Sequence, residues 1–131
     1  MTAQALILFH KQATSARVRF ARFGDTLLAA TGAALPEAAG VIGSHPGPLA
    51  AEAAARLGLA PGALRIDAEF RARLPAPDGD AAVWLAEFVA IDPPIEALAA
   101  AGGRFATLTE LAGIPPAERE VMRLVYEHIL G

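Results

Sequence analysis

The chain has 131 residues, no cysteine, 11 basic and 14 acidic side chains, and a formal net charge of -3. That length suits one domain, 1–131, with a core of its own. The missing cysteines exclude disulfides and thiol chemistry, and the slight negative charge argues against an extended nucleic-acid interface. No apolar run approaches the roughly 18 residues of a membrane span, and no basic-then-apolar leader opens the chain, so the expected address is the cytoplasm. Arg outnumbers Lys ten to one and Ala is abundant, a compositional bias that leaves alanine runs without functional weight.

Ala5 to Phe9 is a short apolar run that reads as a buried strand. Lys11 to Ser15 is polar and reads as a turn. From Arg17 to Phe23 the chain alternates at first, with Val18 and Phe20 on one face and Arg17 and Arg19 on the other. Gly24-Asp25 is a turn, and Thr26 to Thr31 is expected to return as the second arm of a hairpin. Leu35 to Leu59 then reads as a loop carrying Gly40, Gly43, His45, Pro46, Gly47 and Pro48, a helix over 49–57, and a stop at Gly58. Leu49, Ala53 and Leu57 give that helix one narrow apolar stripe.

Leu64 to Leu74 shows the clearest period of two in the chain. It predicts one long strand with Arg65, Asp67, Glu69, Arg71 and Arg73 sharing a face. Pro75 to Asp80 is a turn, and 82–91 a long apolar strand interrupted by Glu87. Ile95 to Ala101 reads as a short helix, Arg104 to Leu108 as a brief edge strand, and Thr109 to Leu111 as a helical turn. Pro115-Pro116 opens a last helix. Its expected core stripe is Ala117, Val121, Leu124, Val125, His128 and Ile129, with Glu118, Arg119, Glu120, Arg123 and Glu127 on the wet side.

This order of elements resembles the Nudix superfamily. The family box reads G-x5-E-x7-R-E-U-x-E-E-x-G-U, with U a bulky apolar residue. Anchored on Gly58-Leu59, it sets its first glycine on Glu37, its first glutamate on Gly43, its arginine on Ala51, its next glutamate on Glu52 and its paired glutamates on Ala55 and Arg56. Asp25 to Ala29, Leu35-Pro36, Phe105 to Leu111 and Ala117 to Leu130 look like the family's flanking pieces. The resemblance implies an α/β fold, a Nudix-like α/β/α sandwich with a mixed β-sheet flanked by helices. It also implies that the usual magnesium-dependent hydrolysis of a diphosphate linked to another moiety is lost. Magnesium wants several hard oxygen ligands, and here one carboxylate stands beside a cation.

Two functions follow. One is a non-catalytic module, a homodimer without cofactor, that binds a nucleotide-like small molecule or a protein. The other is a divergent hydrolase using Mg2+ or Mn2+ on ligands recruited from Glu52, Asp67, Glu69 and Glu87. Glu52 is the candidate catalytic residue, or an i,i+4 partner of Arg56. Arg17, Arg19, Arg71, Arg73 and His45 are the candidate ligand-binding residues, since Arg forks match phosphate oxygens. Arg22 and Lys11 extend the first pair, and each of these has a solvated-surface reading beside the functional one. Asp78 and Asp80 are explained by turn chemistry. His10 carries no role, and His128 reads as a core or interface residue. Trp84 and Phe88 share a strand face with Ala82 and Ala86, for packing or for stacking a base.

Overall fold

A computed structural model describes residues 3–12, 17–33, 47–75 and 80–130. At its centre lie two parallel strands, β1 (Ala3–Lys11) and β6 (Ala81–Phe88), in register from Gln4 opposite Ala82 to Phe9 opposite Glu87. All other pairings are antiparallel. The free edge of β1 is shared end to end by β2 (Val18–Arg22) and β3 (Leu28–Ala33). The free edge of β6 is shared in the same way by β4 (Leu64–Ile66) and β5 (Ala72–Leu74). β7 (Arg104–Ala106) pairs with β2 at the sheet's border, the edge strand expected there.

Helices cover both faces. Against one lie α1 (Gly47–Arg56) and α2 (Ile95–Ala100), where Leu49, Ala53, Leu57 and Leu98 pack on Leu6, Leu8, Trp84 and Phe88. Against the other lies α3 (Pro116–Leu130), where Val121, Met122 and Val125 pack on Ile7, Phe20, Val83 and Leu85. Each of these large side chains stabilises the fold by roughly 1.5–3 kcal/mol of burial. The small Ala50, Ala53 and Ala54 are buried and let α1 approach the sheet closely. Gly58, at φ +69°, ends it in the left-handed conformation that costs glycine least. The sequence had placed all three helices; the α3 stripe is turned slightly, so that Ala117 and Leu124 are exposed while Glu118 and Met122 are buried.

One expected hairpin arm is redirected. The Gly24-Asp25 turn forms, with Phe23 and Thr26 bridged, but the strand after it does not climb back along β2. The Leu27 amide donates instead to Glu118 Oε1 at 2.7 Å, and β3 then pairs with β1. Glu118 is therefore not on the wet side: it is 7% exposed and also accepts from the Thr26 hydroxyl.

The long strand expected over 64–74 is broken. Between the Ile66–Ala86 and Ala72–Val83 pairs, six residue steps on one chain oppose three on β6. The three extra residues form a turn in which Phe70 N donates to Asp67 O and Glu69 N to Asp67 Oδ1. An odd number of extra residues turns the strand over. Leu64 and Ile66 thus join the α1 layer, whereas Phe70, Ala72 and Leu74 join the α3 layer. The five charged residues from Arg65 to Arg73 consequently do not share a face.

Candidate ligand-binding groove

β5 and β6 reach one end of the sheet beside the start of β1, on the face that carries α1. The strand reversal brings Arg71 and Arg73 to that face. A groove of about 360 Å³ lies there, lined by Arg71, Arg73, Asp80, Ala82 and Trp84 together with Ala72 and Val83. The Arg71 guanidinium carbon stands 5.0 Å from the centroid of the Trp84 ring, a cation–π contact.

Two buried donors beside this groove have no partner. Trp84 and Gln4 are each 7% exposed, and neither Trp84 Nε1 nor Gln4 Nε2 is hydrogen-bonded. Gln4 is one strand from the groove, directly opposite Ala82. A buried unmet donor costs about 1–3 kcal/mol, so a pair of them on one face marks a place where an acceptor fits. Two guanidinium groups, an indole N–H and a carboxamide N–H favour an anionic, acceptor-rich ligand. Asp80 is the one carboxylate lining the groove among the described residues.

The other candidates are dispersed. Glu52 accepts from Arg56 at 2.7 Å on the exposed side of α1. Glu87 is bonded to Arg65 across the strand pair. Asp67 Oδ2 is 2.9 Å from His128 Nε2 on α3, and exposed Glu69 meets Asp67 through its own backbone amide. Arg19 lines a second groove of about 320 Å³ with Ile95, Arg104, Phe105, Thr107 and Glu110, by the border strand β7. Arg17 is exposed just before β2. His45 and Asp78 lie outside the described residues.

Arg22 is not a phosphate ligand in waiting. It is 4% exposed and donates to the carbonyls of Gly24, Glu110 and Ala112 as well as to Asp25. His10 is fully buried, and its Nε2 holds the Ala90 carbonyl at 2.9 Å. A carbonyl only accepts, so Nε2 carries the proton. Glu110 is held below the usual carboxylate range by the Thr107 amide and hydroxyl that donate to it, with Arg104 adding to the effect.

These side chains do not fit a magnesium centre on α1. Glu52 is neutralised by Arg56, and the other candidate ligands are engaged elsewhere. Among the described residues no three His, Cys, Asp or Glu side chains converge to hold a metal ion, and no helix is long and apolar enough to cross a membrane.

Gln4 and Asp67–His128 escaped the sequence reading. Gln4 had one local signal, a polar residue at the head of an apolar strand. The Asp67–His128 pair had none, because its members are 61 positions apart.

No protein-family model matches the chain, and no curated protein matches it in sequence. Solved structures do resemble it in shape. A binary complex of the C. elegans Ap4A hydrolase superposes with a TM-score of 0.65 at 13% identity, covering 99% of each chain. A second structure of the C. elegans Ap4A hydrolase gives 0.59 at 14% identity, covering 100% of each. Ap4A hydrolases are Nudix enzymes, and the mixed sheet between helices described above has the Nudix-like α/β fold.

Proposed function

We propose that this chain is a Nudix-fold binding domain with a degenerate box, and that it holds an anionic, nucleotide-like small molecule in the groove over β5 and β6. The convergence of Arg71, Arg73 and two unpartnered buried donors carries this reading. The tie between Glu52 and Arg56 supports it, since the helix that would carry the metal presents a closed ion pair. Cytoplasmic residence and a homodimer belong to the same reading. Ile91 and Ile95, 91% and 62% exposed, are the apolar surface that a second copy would cover.

A divergent hydrolase is the second reading. Its support is the full-length likeness in fold to an Ap4A hydrolase. It would use Mg2+ or Mn2+ on ligands drawn from Glu52, Asp67, Glu69 and Glu87. One experiment separates the two. Binding of pyrophosphate, nucleoside diphosphates and dinucleoside polyphosphates is measured by calorimetry, and phosphate release from the same compounds is followed with each metal. Metal-independent binding lost in Arg71→Ala and Arg73→Ala, without turnover, is the expected result. Metal-dependent turnover abolished by Glu52→Gln would establish the hydrolase instead.

A further inference from the structure

Phe70 and Arg71 are consecutive, yet they serve opposite faces of the sheet. Phe70 is buried in the α3 layer, edge-on to the His128 ring with centroids 5.4 Å apart. Arg71 stands over Trp84 in the α1 layer. The turn before them hangs from four hydrogen bonds of Asp67: its amide donates to Leu85 O, its carbonyl accepts from Phe70 N, its Oδ1 accepts from Glu69 N, and its Oδ2 meets His128 Nε2. His128 thus touches both the first residue of the turn and the one before Arg71.

We infer that His128 is a positioning residue for the groove: from α3, through Asp67 and Phe70, it sets where the Arg71 guanidinium sits over Trp84. This rests on the groove reading above for its functional meaning, although the positioning itself can be read without a ligand. The three extra residues give the turn slack, and slack around a long Arg side chain would cost affinity through ordering. A bond to α3 removes that slack before any ligand arrives.

The protein contains one tryptophan, so its emission reports Trp84 alone and senses the cation over its ring. His128→Leu and His128→Ala remove the bond to Asp67; His128→Gln offers an amide nitrogen in place of Nε2. All are compared with Arg71→Ala at a temperature where circular dichroism shows each folded. The expected result is that loss of the bond shifts Trp84 emission in the direction set by Arg71→Ala. Inorganic pyrophosphate should then bind about fivefold more weakly, in line with a partly lost charge-assisted contact, and His128→Gln should recover both. A role in stability alone would lower the melting temperature and leave folded-state emission untouched. Wild-type emission in folded His128→Leu and His128→Ala, beside a shifted Arg71→Ala, overturns the inference. Unchanged pyrophosphate affinity in Arg71→Ala would sink the groove reading instead, and the emission comparison would still decide the positioning.

Discussion

Glu118, in the first turn of α3, accepts the backbone amide of Leu27 at 2.7 Å. That bond takes the place of a strand hydrogen bond just where the chain leaves β2 and moves over to pair with β1. The carboxylate is buried and suits the positive end of the helix dipole. Glu118→Ala leaves the Leu27 amide and the Thr26 hydroxyl without their acceptor, and is expected to cost about 2–4 kcal/mol. Glu118→Gln keeps one acceptor oxygen and should cost less. Urea denaturation of the three proteins measures the order.

Arg22 closes a second such point. Its guanidinium serves three backbone carbonyls, two of them 88 and 90 positions away. Arg22→Met retains the stem and removes every donor, so a loss of about 3 kcal/mol or more is expected. Gly113, at φ +86° with the place of its missing Cβ 2.7 Å from Asp25 Oδ1, sits against this clamp. Gly113→Ala should destabilise as well, by strain where no side chain fits. Thermal unfolding of both variants gives the comparison.

The exposed pair of Glu52 and Arg56 is worth little to stability. Glu52→Gln should change unfolding free energy by less than about 0.5 kcal/mol and leave pyrophosphate binding intact, with or without magnesium. A tenfold fall in affinity only when magnesium is present would mean that the glutamate leaves Arg56 for a metal.

Glu110 supplies a pH test with a definite sign. Its folded-state pKa lies below the usual range because Thr107 donates to the carboxylate twice. A depressed carboxylate contributes stability that is present above the unfolded glutamate range and fades as pH falls through the folded value. In a carbon-detected titration, Glu110 should protonate below the usual glutamate range. Thr107→Val should move it upward by removing the hydroxyl donor.

Much of the architecture was legible in single segments. The apolar run at 5–9, the alanine-rich helix closed by Gly58, and the helix behind Pro115-Pro116 announce themselves by period and stop signal. Arg71 and Arg73 were named as candidates, but on a face shared with Arg65, Asp67 and Glu69.

That face was decided by the tertiary structure. Both sides of this sheet are covered, so an apolar residue at every second position fits either layer equally well. Alternation from Leu64 to Leu74 therefore runs unbroken through a three-residue excursion that turns the strand over. The burial of Arg22 and Glu118 was hidden for a related reason. Each answers backbone groups exposed by a chain path that depends on long-range pairing, and local pattern carries no record of distant carbonyls. The sequence by itself determined the helices and most of the strand segments, because period and stop signals are local. Only the assembled sheet decided which charges are structural clamps, and which meet over Trp84 beside two donors still lacking an acceptor.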